Sequence, residues 1–136
     1  MPNMIFVNLP VSDLDAAKAF YSALGFTLNE QFSDERTASF VVSDAIVVMV
    51  MAQDRFREFT EQPGVADPRT AREVINAFGV ESRDDVDRLI DAGLAAGGAL
   101  SGKTEDHGFM YGRGIDDPDG HHLEFVWMDP SAVAGE

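Results

Sequence analysis

Cysteine is absent from the 136-residue chain. That excludes a disulfide framework, a thiolate nucleophile and a thiolate metal site. Basic residues are scarce: ten Lys and Arg stand against twenty-four Asp and Glu, a net charge of −14. Nucleic-acid binding depends on Lys and Arg neutralising phosphates, so neither nucleic acid nor an anionic membrane is expected as a partner. The acids are scattered over helix faces and turns and read as a solvated surface. No apolar run approaches the ~20 residues that a membrane-crossing helix needs. Met1-Pro2-Asn3-Met4 has no basic segment and no small-residue cleavage site, so no signal peptide is expected and the cytoplasm is the expected compartment. A Gly-rich phosphate loop and a Gly-x-Ser-x-Gly elbow are missing as well.

What is present is the balance of a globular protein, 45% hydrophobic and 25% charged. The length suits one domain with a real core.

The apolar pattern is written twice. Met4 to Val11 reads as a strand with Ile5, Val7, Leu9 and Val11 on one face and Phe6 and Asn8 on the other. Ser12 with Asp15 gives the spacing of a capping box. The helix that follows carries Leu14, Ala17, Tyr21 and Leu24 on one stripe and stops at Gly25. Three strands are expected next, Phe26 to Phe32, Thr37 to Val42 and Ala45 to Met51, the last apolar enough to be buried on both faces. Residues 53–69 form a polar connector with a short helix around Arg55 to Thr60 and loop signals at Pro63-Gly64 and Asp67-Pro68.

Then the pattern restarts. Arg72 to Val80 reads as a strand, and Ser82 with Asp85 repeats the capping spacing. A helix presents Val86, Leu89, Ile90 and Gly93, closed by Gly97-Gly98. Ala99 to Lys103, Phe109 to Ile115 and His122 to Met128 supply further strands, with a turn at Asp117-Pro118-Asp119-Gly120 before the last. Ser131 to Glu136 reads as a frayed tail. The expected fold is therefore α+β: a single domain over residues 1–136 made of two βαβββ modules, about 1–52 and about 70–130, joined by the 53–69 connector. Each half sheet packs one face on its own helix, and two halves set edge to edge give an open, curved mixed sheet around a cleft.

Three local patterns carry a family resemblance. They are Val11-Ser12-Asp13-Leu14 with Phe20-Tyr21 and Leu24-Gly25-Phe26, the helix ending Ala95-Ala96-Gly97-Gly98, and Asp117-Pro118-Asp119-Gly120-His121 leading to Glu124. In this order they resemble the vicinal oxygen chelate superfamily, the group of glyoxalases, bleomycin-resistance proteins and extradiol dioxygenases. The resemblance implies the glyoxalase-like fold. It also implies a cleft that presents a divalent metal through His or Glu on the first and last strand of each module. Carried over residue by residue, those positions fall on Phe6, Val48, Ile75 and Glu124. Three of the four are hydrocarbon, whereas such sites use about three or four protein ligands. No metal and no other cofactor is expected.

Glu124 is the residue to examine first. On the last strand Leu123, Phe125 and Trp127 form a packed face, and His122, Glu124, Val126 and Met128 lie on the other. The resemblance turns that second face to the cleft, where Glu124 is a candidate catalytic acid or base, or else a carboxylate tied to a polar neighbour such as Asn8. His122 is a candidate partner of Glu124 or an exposed strand-end residue. Asn8 either touches ligand or satisfies the framework. His107 and Tyr111, at a polar loop running into an aromatic strand, are candidate ligand contacts or plain surface residues. With Phe6, Val48 and Ile75 these complete the candidate binding set. Arg113 is a possible anion partner, or a member of a surface ion pair.

Three functions remain open. One is a metal-free binding protein that holds a small, partly aromatic molecule. Another is a glyoxalase-like lyase, isomerase or dioxygenase with Glu124 as general base or residual metal ligand. A third is a fold that serves assembly only. The resemblance implies a homodimer in which modules of two chains complete each other's clefts.

Overall fold

Strand alternation and two helical stripes organise the protein, whose computed structural model describes residues 1–133. The chain divides into two compact units, Met1–Asp67 and Pro68–Glu136. Among the described residues no helix is long and apolar enough to cross a membrane.

In the first unit, β1 (Ile5–Val11) runs parallel to β4 (Ile46–Ala52), which pairs antiparallel with β3 (Thr37–Ser43). A two-residue β2 (Thr27–Leu28) completes the sheet order β1-β4-β3-β2. The helix α1 (Leu14–Ala23) buries Ala17, Phe20 and Tyr21. Phe20 extends the expected stripe, lying three residues beyond Ala17. The Tyr21 ring meets Phe20 edge-on at 5.0 Å and leans on Phe40 of β3 at 5.9 Å. Each such fully buried side chain contributes about 1.5–3 kcal/mol. The helix ends where expected, with the Gly25 N–H donating to Ser22 O.

Two expectations for this unit need correction. The cap of α1 is Asp13 rather than Ser12, because the Asp13 carboxylate accepts the Ala16 N–H. Phe26 to Phe32 does not run as one strand. After β2 the Asn29 side chain accepts the Gln31 N–H, and the Ser33 hydroxyl donates to Asn29 O while accepting from Ser39 N. Those local bonds outcompete a ladder, and Glu30–Phe32 turns into a 3-10 helix. The connector opens with α2 (Gln53–Phe56) and a 3-10 turn at Arg57–Phe59, tied back to Arg36 through Glu58.

The second unit repeats the plan. β5 (Ile75–Val80) runs parallel to β9 (His122–Met128), and β9 pairs antiparallel with β8 (Met110–Asp116). The Ser82 hydroxyl caps α3 (Arg83–Ala95) by accepting the Asp85 N–H, and Val86, Leu89, Ile90 and Gly93 face inward, all as the spacing requires.

The strand expected from Arg72 starts only at Ile75. Its ladder partner β9 begins at His122, opposite Ile75, so residues 72–74 have no backbone to pair with. The expected Ala99 to Lys103 strand is interrupted at Gly102, whose φ of 81° turns the chain out of the sheet. Two short pieces result, β6 (Ala99–Leu100) and β7 (Glu105–Asp106), both paired with β8. The expected tail contains a short α4 (Pro130–Val133), and the remainder of it, residues 134–136, lies outside the described residues. The architecture is thus α+β with two open sheets of mixed strands.

Candidate functional site

Strand register decides which side chains share a face. In the first unit Val7 pairs with Val48 and Leu9 with Val50, while Phe40 opposes Val48 on β3. Phe40 touches Tyr21 of α1, so this is the helix-facing side. Phe6 and Asn8 therefore share the opposite, open face with Val47 and Met49. Val48, expected beside Phe6, belongs instead to the helix side and is only 1% exposed. The alternation of β4 was displaced by one residue in the expectation, and a one-residue slip exchanges faces. Phe6 remains 55% exposed. Asn8 is exposed too, and its amide donates to the Phe6 carbonyl of its own strand at 3.1 Å.

In the second unit Leu123, Phe125 and Trp127 face α3, and His122, Glu124, Val126 and Met128 share the open side with Ile75 and Ala77 of β5. Ile75 is half exposed. From β8 the open side receives Met110, Gly112, Gly114 and Asp116.

This face carries a chain of polar groups. His122 Nδ1 lies 2.7 Å from Asp116 Oδ1, and its Nε2 lies 3.2 Å from Glu124 Oε2. The imidazole is 4% exposed and the Glu124 side chain 37%. Arg72 completes the row, donating to the Gly120 carbonyl at 2.7 Å and sitting 3.3 Å from Asp116 Oδ2. A carboxylate oxygen accepts, so each contact is a hydrogen bond in the tautomer that places a proton on the ring nitrogen facing it. His122 is thus a buried partner of Glu124, and the polar neighbour of Glu124 is this imidazole.

Gly114 makes the arrangement possible. A Cβ there would lie 2.6 Å from His122 Cε1 and 2.4 Å from Ser101 O. Beyond Glu124 a pocket of about 340 Å³ opens, lined also by Lys103, Glu105, Met110, Gly112, Arg113 and Val126.

Tyr111 and Arg113 project to the other side. The Tyr111 hydroxyl donates to Asp87 Oδ1 of α3 at 2.6 Å, and Arg113 donates to the same oxygen at 2.9 Å. The hydrogen bond from Tyr111, followed by that from Arg113, holds the Asp87 carboxyl below its ordinary range. The same bond to Asp87, with desolvation, pushes the Tyr111 phenol up. Arg83 stacks over the Tyr111 ring at 4.5 Å and pairs with Asp106 of β7. These contacts fasten the β7–β8 hairpin to α3. Tyr111 is consequently not brought to Glu124. His107 stands at the exposed tip of the hairpin, stacked on Phe109 and 3.1 Å from Glu105 Oε2.

Asp116, Lys103 and Gly114 were not singled out from the sequence. Asp116 was within reach: it and His122 flank the Asp117–His121 turn, and a hairpin sets flanking residues opposite each other.

The metal positions implied by the family resemblance fare poorly on donor chemistry. Phe6 and Ile75 offer hydrocarbon, the open face of β4 offers Val47 and Met49, and Glu124 is engaged by His122. Among the described residues no group of three or more His, Asp or Glu side chains is placed to hold a metal ion. This donor set does not fit a divalent metal.

Residues 3–43 match the family model described as bleomycin resistance protein-like N-terminal. No curated protein matches the chain. Among solved structures, a hypothetical protein from S. aureus is similar at 28% identity and a TM-score of 0.76, over 93% of this chain and 94% of that one. A glyoxalase-related enzyme from Fulvimarina pelagi matches at 20% identity and a TM-score of 0.76, over 93% and 88%. A glyoxalase/bleomycin resistance protein/dioxygenase family enzyme from Burkholderia phytofirmans PsJN matches at 20% identity and a TM-score of 0.70, over 90% and 96%.

Proposed function

We propose that this chain, which shares its fold with glyoxalase-related structures and matches a bleomycin resistance protein-like model over residues 3–43, is a member of the vicinal oxygen chelate superfamily with a metal-free role in binding a small organic molecule. The observation that carries this reading is the Glu124–His122 contact. Glu124, the one carboxylate among the positions where the family resemblance implies metal ligands, is engaged by an imidazole, and the counterpart positions are hydrocarbon. The open face of the second unit, with Ile75, Ala77, Val126 and Met128, is then an apolar face with one polar end, the usual make-up of a small-molecule site. Ile75, His122 and Glu124 on the open face of the second unit, and separately Phe6 and Asn8 on that of the first, are the ligand contacts of this reading. His107 contributes from the hairpin tip. Val48 and Tyr111 act through the packing beneath.

The test has two arms. Protein purified without chelator is expected to contain no stoichiometric Zn, Ni or Mn by elemental analysis. A fragment screen followed by amide NMR is expected to find aromatic ligands whose binding is weakened by Glu124→Gln. Stoichiometric metal, or hits indifferent to Glu124, would refute the reading. Trp127 faces α3, so its fluorescence is a poorer reporter than backbone amides near Glu124.

A second reading, a lyase or isomerase, is favoured by the Asp116–His122–Glu124 chain. The Glu124 oxygen not bonded to His122 would take a proton from a substrate carbon, and the imidazole would hold the other oxygen in place. Incorporation of deuterium from D2O into a bound ligand, lost in Glu124→Gln, distinguishes catalysis from binding alone. In either reading the protein works in the cytoplasm as a homodimer, without nucleic acid or membrane. Light scattering at several concentrations tests the dimer.

A further inference from the structure

The pocket beside Glu124 has a charge pattern that narrows what it would hold. Of its charged lining residues, Arg113 sends its side chain to the α3 side of the sheet, where it is committed to Asp87, while Glu105 Oε2 faces His107 and Glu124 Oε2 faces His122. Lys103 has no ion pair or hydrogen bond among the described residues. The pocket thus offers one uncommitted cation and, on Glu105 and Glu124, two carboxylate oxygens free to accept. Met110 and Val126 give it apolar wall, and Gly112 leaves its floor open: a Cβ there would come to 3.4 Å from Val126 Cγ2.

Resting on the reading of Glu124 as a ligand contact, we propose that this pocket binds a small zwitterion, an amino-acid-like molecule. Its ammonium faces Glu124 and Glu105, its carboxylate faces Lys103, and its apolar body lies on Met110 and Val126. A plain anion meets two carboxylates in a chain of net charge −14, and a plain cation meets Lys103. A zwitterion satisfies both signs. An ammonium also brings three donors, enough to serve two acceptor oxygens. The cavity volume suits a molecule of this size.

Calorimetry on the full chain tests the class directly. Leucine and phenylalanine are each titrated beside the deaminated acid and the decarboxylated amine of the same skeleton. At least one amino acid is expected to bind about ten-fold more tightly than either of its truncated analogues. Lys103→Met is expected to erase its advantage over the amine, and Glu124→Gln its advantage over the acid. Gly112→Ala, which leaves both charges in place, is expected to weaken the larger phenylalanine more than leucine. A truncated analogue binding as well as its parent, no effect of Lys103→Met, or no amino acid binding at millimolar concentration overturns the proposal. If neutral aromatic ligands still bind in a Glu124-dependent way, the binding-site reading stands and only the zwitterion falls.

Discussion

The imidazole of His122 fills the space that a side chain on Gly114 would occupy. Gly114 opposes Glu124 across the β8–β9 ladder, and its missing Cβ leaves room for the ring between Asp116 and Glu124. Sterics on one strand thereby hold a carboxylate on its neighbour.

Gly114→Ala follows from that relationship. The new methyl would press on a backbone carbonyl at 2.4 Å as well as on the ring, and such overpacking costs about 1–3 kcal/mol. Urea unfolding is expected to show this loss, together with changed His122 ring shifts in NMR. Gly112→Ala, with its nearest contact at 3.4 Å, is the control and is expected to change stability by less than about 1 kcal/mol. Equal stability of the two variants would contradict the packing described.

Acid sensitivity should be reduced by Asp87→Asn. The Tyr111 and Arg113 bonds lower the folded-state pKa of Asp87, whereas the unfolded value is about 3.9. Its contribution is therefore fully present above the unfolded value and lost as pH falls through the folded one. Asp87→Asn is expected to be less stable than the parent at pH 7, with the gap closing below about pH 4. Unfolding curves at both pH values check this; a gap that widens in acid would reverse the sign.

Val48→Ala and Phe6→Ala separate the two faces of the first sheet. Val48 is buried against the α1 side, so losing two methyl groups and leaving a cavity costs about 2 kcal/mol. Phe6, more than half exposed, is expected to cost less than about 1 kcal/mol in stability and to show its effect in ligand affinity. The reverse ranking would mean that the register is misassigned.

The two helix caps provide a matched pair. Asp13→Ala and Ser82→Ala each remove a side-chain acceptor for a first-turn N–H, a loss of about 1 kcal/mol. Thermal denaturation of both variants measures it, and an unchanged midpoint for Asp13→Ala would return the first cap to Ser12.

The doubled strand–helix–strand plan was legible because it rests on periodicity. The α3 stripe and the faces of β9 followed directly from apolar spacing. The Val48 face was not legible, since Ile46 to Met51 is apolar throughout and offers no alternation to fix the register. The expected Phe26 to Phe32 strand was cut short to β2 by side chains of Asn29 and Ser33 that compete for the backbone, an effect hydrophobicity does not register. At the site, Glu124 and His122 were visible on one strand. Asp116 was hidden because its role depends on which residue it opposes across the hairpin. Tyr111 looked like a ligand contact by composition, and only the ladder revealed that it points toward Asp87.

In each unit the opening strand lies beside the closing one, β1 next to β4 and β5 next to β9. During synthesis Ile5 must therefore wait for Ile46, and Ile75 for His122, before either edge finds its neighbour. Helix α3 is built from local contacts, whereas β9, which carries His122 and Glu124, comes after it in the chain and must be made before β5 finds its neighbour. Folding speed of the second unit is accordingly governed by this long-range closure rather than by helix formation.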